Sequence, residues 1–294
     1  MEDTQKAPKR LWKTLTIFTV IILICILGIG FLTQTKSQIQ SPKPLSQQPE
    51  VTISATESST PSVKGSKTVG ISPTEVPLKK SSFTIALFGD SMFDTMGEKA
   101  EPLQQVLSLR YPKTTFTLYN YGVGAQNIEQ GLARLNASFT NKTRSYPPLS
   151  QIKPDIIIVG SFSYNVLDPH DAAKHRRLLK ELVTQIKAFP SDVYLLAEIA
   201  PLETGFGKGE FGINVSDDVA RTYTTKIIEQ LDSVAQVASE TQTPLINAYT
   251  LSQVNGKYGE PAYVTAHDGI HPSTAGHIFT SRIIARAILP SLTK

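Results

Sequence analysis

From Phe83 to the C-terminus, short apolar runs alternate with segments whose hydrophobic residues recur every three to four positions. The runs are Phe83–Phe88, Thr115–Tyr121, Asp155–Gly160, Val193–Ile199 and Thr243–Tyr249. Each is apolar on both faces rather than alternating, the pattern of a strand covered by helices on either side. Between them lie Ile128, Leu132, Leu135 and Phe139, then Leu178, Leu179, Leu182, Val183 and Ile186, then Val219, Tyr223, Ile227, Leu231 and Val234, all at helical spacing. A last helix is predicted to start near Ser273 and to carry Phe279, Ile283 and Ile284. The alternation predicts an α/β domain over residues 83–294, a three-layer α/β/α sandwich around a five-stranded parallel sheet. About 210 residues suffice for one such core. Ligands of open parallel sheets bind beyond the C-terminal strand ends, and Ser91, Tyr121-Gly122 and Gly160 fall there.

The N-terminal part reads differently. Residues 15–32 carry no charge, and at about 1.5 Å per residue they are roughly long enough to cross a bilayer core. Lys6, Lys9, Arg10 and Lys13 precede them, and only Lys36 and Lys43 follow closely. That bias places residues 1–14 in the cytoplasm and everything downstream outside, anchored by a single span. A cleaved signal peptide is the alternative, although Gly28-Ile-Gly30 is a poor cleavage site. Residues 33–82 lack aromatics and are rich in Ser, Thr, Pro, Gln and Lys, so they bury too little apolar area to offset their ordering entropy. They are expected to form a disordered linker reaching on the order of 40 Å as a random coil.

Charge and cysteine usage refine this picture. The formal net charge is +4, but residues 1–82 hold ten Lys/Arg against five Asp/Glu, leaving 19 against 20 in residues 83–294. The basic character belongs to the anchor and linker, so nothing argues for nucleic acid as a partner of the folded part. Cys25, within the apolar span, is the only cysteine, so the exported domain has no disulfide and depends on its core.

Two short segments nearly 180 residues apart carry the chemistry. Gly89-Asp90-Ser91 follows the first apolar run, and Asp268-Gly-Ile-His271 precedes the last helix. A serine nucleophile needs a base within hydrogen-bond reach and a third group to orient that base. One tight turn holding Asp268 and His271 supplies two of these three partners. Blander roles exist for each: Ser91 as a helix cap, and Asp268 as the cap of a turn. His267 and His271 also stand four apart, as in helical zinc sites, but Gly269 and Pro272 oppose a helix there and no third ligand stands out. No metal or organic cofactor is expected.

Together these segments resemble the SGNH hydrolases, also called the GDSL esterase/lipase family, over about residues 83–290 and in the family's block order. The resemblance implies a flavodoxin-like fold, with Ser91 as nucleophile, His271 as general base and Asp268 as its orienting carboxylate. Where the family has a Gly-x-Asn-Asp block, this chain reads Gly160-Ser-Phe-Ser-Tyr-Asn165. That implies Asn165 as an oxyanion donor with altered spacing and no Asp following. The block that supplies a backbone amide to the oxyanion corresponds to Asn120-Tyr-Gly-Val-Gly-Ala-Gln126. Either Gly124 or Ala125 would provide that amide.

The expected activity is hydrolysis of O-acyl esters, O-acetyl above all, on cell-wall or surface polysaccharide reached by a domain held off the membrane. The same scaffold also permits an O-acyltransferase, or a catalytically inactive glycan-binding module. His170 and His175 are expected in solvated or capping roles, and His277 in surface or packing roles. The glycine-rich stretch 203–212, with Phe206 and Phe211, is expected to form a rim of the site or a plain crossover.

Overall fold

The computed structural model describes residues 76–293. The predicted span 15–32, and the predicted linker up to residue 75, lie outside the described residues. Among the described residues no helix is long and apolar enough to cross a membrane. Residues at the end of the predicted linker join the folded domain: Leu78 packs on the core, and the Lys79 amide donates to the Leu292 carbonyl at 2.9 Å.

The sheet has five parallel strands: β1 (Ser82–Gly89), β2 (Thr115–Gly122), β5 (Ile156–Gly160), β6 (Asp192–Ala197) and β7 (Leu245–Asn247), in spatial order β2-β1-β5-β6-β7. β1 and β5 lie near the centre, and their side chains are buried on both faces, which is why the sequence shows unbroken apolar runs there. The order reverses between β1 and β5, and open parallel sheets bind ligands beyond the carboxyl strand ends at such a switch point.

One helical layer holds α2 (Glu101–Arg110) against α8 (Thr274–Ala287), which is followed by α9 (Leu289–Thr293). The Tyr111 hydroxyl fastens the two by donating to the Ala285 carbonyl at 2.5 Å. The other layer holds α3 (Ile128–Ala133), α5 (Ala172–Ile186) and α6 (Asp217–Glu240). Caps set where these helices begin. Asp171 accepts from the Lys174 amide at 2.8 Å, Asn127 accepts from the Glu129 amide at 3.0 Å, and Ser273 accepts from the Gly276 amide at 3.1 Å.

Several elements depart from the sequence pattern. The fifth strand stops at Asn247, whose side chain caps a short helix α7 (Ala248–Ser252) by accepting from the Thr250 amide at 2.9 Å. β6 ends at Ala197, and Glu198 turns its carboxylate toward the neighbouring strand end. The helix predicted through Phe139 ends at Ala133. Phe139 instead opens a two-stranded hairpin, β3 (Phe139–Asn141) with β4 (Arg144–Tyr146).

That hairpin braces the site. After β1 comes a one-turn helix, α1 (Ser91–Asp94). The buried Arg144 guanidinium pairs with Asp94 of α1 and donates to the Asn120 and Gly122 carbonyls of β2 at 2.6 and 2.9 Å. Phe139 stacks on Tyr146 with centroids 5.5 Å apart and meets Tyr121 at 4.9 Å. Replacing Arg144 with Ala removes the buried partner of Asp94, which keeps Lys142 at 2.9 Å and Asn141 at 3.1 Å, and takes a donor from the Asn120 and Gly122 carbonyls, a loss of roughly 1–3 kcal/mol. Denaturant unfolding of Arg144→Ala should therefore show a large fall in stability. A change within about 0.5 kcal/mol, the usual range for a surface substitution, would mean that the hairpin does not brace α1.

Candidate active site

β1 delivers the chain to a sharp turn. A Cβ at Gly89 would lie 2.6 Å from the Phe93 ring, so a larger residue cannot sit under that turn. Asp90 caps α1 with Oδ1, which accepts from the Met92 amide at 3.0 Å, and Ser91 is the first helical residue, 8 % exposed. Ser91 does sit at the helix start, while the capping side chain belongs to Asp90.

After β5, residues 161–165 fold into a second turn against the first. Asn165 donates its side-chain amide to Asp90 Oδ2 at 2.9 Å, which places Asn165 beside the Ser91 turn. Phe162 adopts φ +58° and is fully buried, with Gly131 beneath it. A Cβ on Gly131 would approach the Phe162 ring to 2.5 Å. The Ser161 amide donates to Glu198 Oε1 at 2.6 Å, its Oγ contacts Glu198 Oε2, and its carbonyl lies 2.9 Å from His175 Nε2. Gln230 donates to the Ser163 carbonyl at 2.7 Å, and the Tyr164 hydroxyl donates to the Ile199 carbonyl at 2.9 Å. Nearly every polar group of this turn is held by a different element.

The second block runs off β2. The Val123 amide donates to the Gly89 carbonyl at 3.1 Å. Ala125 adopts φ +58°, the left-handed region where glycine is the usual residue, while Gly124 beside it does not. Arg134 also reaches the Gly89 carbonyl, at 2.8 Å, and stacks over Phe88 at 4.2 Å. Burial lowers its pKa to about 10, with the Asp90 charge opposing that fall.

The third piece is the loop before α8. Asp268 Oδ1 accepts from the amides of Ile270 and His271 at 2.7 and 2.9 Å, and Oδ2 lies 2.7 Å from His271 Nδ1. An ionised carboxylate cannot donate, so Nδ1 carries the proton and Nε2 is the basic nitrogen. Burial acts to raise the Asp268 carboxyl, but the hydrogen bonds from the His271 ring and from the two amides together hold it below the ordinary value. The loop is closed on itself by Thr265, whose amide donates to the His271 carbonyl at 2.9 Å. Burial raises the Asp90 carboxyl, against which the hydrogen bonds from Met92 and Asn165 act first, and then the charge that His271 carries when protonated.

The structure thus places Asp268 on His271 and Asn165 on Asp90, and it brings the His271 ring within electrostatic range of Asp90, the neighbour of Ser91. Gly124 and Ala125 follow β2 at the same end of the sheet. The stretch 203–212 is fastened to the histidine loop: the Phe211 amide donates to the His267 carbonyl at 2.8 Å, and a Cβ on Gly269 would meet the Gly205 carbonyl at 2.1 Å. Phe206 is buried while Phe211 is 72 % exposed, so the stretch forms a rim with one aromatic turned outward. His277 is packed inside α8. His175 departs from the expected solvated role, being fully buried in α5 on the Ser161 carbonyl. Glu198, Arg134 and the Ser161–Ser163 pair were not expected at the site. The one signal for Glu198 was a charged residue inside an otherwise apolar run.

The sequence profile described as GDSL-like Lipase/Acylhydrolase matches residues 85–284. The chain belongs to this family. It is an enzyme that hydrolyses ester bonds. Among solved structures, a GDSL-like lipase from Bacteroides thetaiotaomicron is similar with a TM-score of 0.52 and 16% identity, over 74% of this chain and 92% of that one. A variant of an acetyl xylan esterase from Geobacillus stearothermophilus gives a TM-score of 0.50 and 18% identity, over 75% and 99%. The lipase/acylhydrolase of Enterococcus faecalis gives a TM-score of 0.49 and 22% identity, over 70% and 95%. Comparison with curated proteins returns no match. The first two of these likenesses, with TM-scores of 0.52 and 0.50, show the fold that the family match implies.

Burial depresses the His175 pKa from 6.5 to about 4. The folded protein therefore holds this ring neutral where the unfolded chain would protonate it. The resulting stability is present above pH 6.5 and is lost as pH falls toward 4, on the order of 2–3 kcal/mol. Unfolding free energies measured from pH 7 to 4 should show that slope in the wild type, with a matching part of it missing in His175→Phe. Equal slopes in the two proteins would contradict the neutral, buried ring.

Proposed function

We propose that this protein is a serine esterase that removes O-acetyl groups from cell-wall or surface polysaccharide, with Ser91, His271 and Asp268 as its catalytic triad. The observation that carries the reading is the bonding of Asp268, which takes three donors, His271 Nδ1 among them. That arrangement fixes one tautomer and leaves Nε2 as the base.

In the reaction, His271 Nε2 takes the proton of Ser91 Oγ as that oxygen bonds to the ester carbonyl carbon. The carbonyl oxygen becomes an anion facing the Asn165 side-chain amide and the backbone amides of Ser91 and of Gly124 or Ala125. The carbon–alkoxide bond then breaks, and the sugar hydroxyl leaves with the proton returned from His271. Water, deprotonated by the same ring, attacks the acyl-Ser91 carbonyl, releasing acetate and restoring the serine. Asp268 holds the ring and offsets the charge of the imidazolium in both halves. The left-handed backbone of Ala125 favours it over Gly124 as the residue at the turn where the family often has glycine. The acetyl group is the acyl chain named for the Geobacillus neighbour. A polysaccharide substrate follows from the predicted span at 15–32 and linker at 33–82, which hold the catalytic domain outside the cell membrane with the N-terminus in the cytoplasm.

The protein should release p-nitrophenol from p-nitrophenyl acetate, and Ser91→Ala should abolish that release. Asp268→Asn, which removes the anion but keeps the shape, should lower kcat by about 10⁴-fold, and Asn165→Ala by about 10²–10³-fold. Turnover by Ser91→Ala at the wild-type rate would refute the nucleophile assignment. For topology, a reporter fused after Lys294 should be accessible from outside intact cells; a cytoplasmic reporter would refute the exported reading.

A further inference from the structure

Glu198 has no part in the triad, yet it is 3 % exposed and sits directly behind the catalytic turns. A Cβ on Gly160 would lie 3.0 Å from its Oε1, so the carboxyl is pressed against the ends of β5 and β1. From the β1–α1 turn comes Asp90, also buried. From the β5 turn come Tyr164, whose hydroxyl is spent on Ile199, and Ser161 with Ser163. Across a small cavity lined by Met92, Phe93 and Met96 stands His277 of α8. On the far side of Ser161 stands His175. Burial holds both histidines neutral, lowering each to about 4.

Two buried carboxyls therefore share this region with unequal support. Asp90 accepts from the Met92 amide and from the Asn165 amide, and the guanidinium charge of Arg134 lies within reach of it. None of the groups named around Glu198 is a cation. Like charges in a water-excluded site cannot both persist, so the pair keeps one proton, on the less supported member.

We propose that Glu198 carries that proton and acts as a positioning residue. Its Oε2–H donates to Ser161 Oγ, whose own hydrogen passes to Ser163 Oγ 2.6 Å away, so that the 161–165 turn holds Asn165 against Asp90. Loss of the proton reverses both hydroxyls and places a second buried anion behind the point where the ester oxygen becomes negative. The role rests on the esterase reading above, whereas the location of the proton does not. Burial, with the Asp90 charge adding to it, raises the Glu198 pKa to about 8, which is consistent with the bonding.

Two measurements on the full chain test this, with Glu198→Gln and Glu198→Ala beside the wild type. Gln preserves a donor to Ser161 Oγ and an acceptor for the Ser161 amide, so Glu198→Gln should keep kcat on p-nitrophenyl acetate within about threefold at pH 6.5. Glu198→Ala should lose about 10²-fold, the cost of a displaced catalytic geometry. Wild-type kcat should fall as pH rises through about 8, and Glu198→Gln should lack that fall. Equal damage from Gln and Ala would overturn the proposal, because it would mean that the anion is the working form.

The second measurement needs no activity. A carboxyl whose folded pKa is raised binds more protons in the folded than in the unfolded state, so raising pH through that window destabilises the fold. The Tm of the wild type should drop relative to Glu198→Gln between pH 4.5 and 8 and then run parallel to it. A Tm difference independent of pH would overturn the protonated assignment. If no ester is hydrolysed while this Tm difference does follow pH, the esterase reading fails and the buried proton stands.

Discussion

The Asp90 carboxylate is the constraint on which the site depends. It is buried at the end of a central strand, where burial raises its pKa, and hydrogen-bond donors converge on it. One oxygen takes the Met92 amide and starts the helix that begins with Ser91; the other takes the side chain of Asn165 from the next strand over. A single side chain thus fixes the direction of the turn and the position of the amide beside it. Any shift of Asp90 would move both.

Around that carboxylate, long-range polar contacts lock strand ends that the sheet ladder alone would leave free. Arg134 and the Val123 amide meet on the Gly89 carbonyl and join the second block to the first. Arg144 ties β2 to α1 through Asp94. His175 and Glu198 grip opposite sides of Ser161. These contacts lie in buried or part-buried settings, where an unmade hydrogen bond costs much of the desolvation of its group. These bonds hold the site in place before any substrate arrives, the preorganisation that the proposed esterase mechanism calls for. The histidine loop is the one piece that reaches the site from the far end of the chain. It is kept in shape by its own three bonds to Asp268 and by the 203–212 rim.

Much of this was legible in the sequence because its signals are local. Parallel strands buried on both faces write themselves as apolar runs, and caps such as Asp171 and Ser273 stand immediately before the periodic residues they start. The Asp268–His271 contact spans three residues, so a turn alone could carry it. Contacts between distant elements left no such trace. Glu198 and Ser161 are 37 residues apart, Arg134 and Gly89 are 45 apart, and Arg144 and Asp94 are 50 apart. His175 was misread because its polar type suggests a surface, whereas its one useful partner is a buried carbonyl on another element. The β3–β4 hairpin was missed because Phe139 continues a helical period that Arg134 and the residues after it interrupt.

The central claim is that the hydroxyl of Ser91 is the atom made nucleophilic by this architecture. It is tested most directly by treating the protein with a fluorophosphonate, which reacts with a serine only when an adjacent base activates it, and locating the adduct by peptide mass spectrometry. The account predicts one phosphonyl group on the peptide containing Ser91, and none when His271 is replaced by Ala. An unlabelled Ser91, or labelling that survives loss of the imidazole, would contradict it.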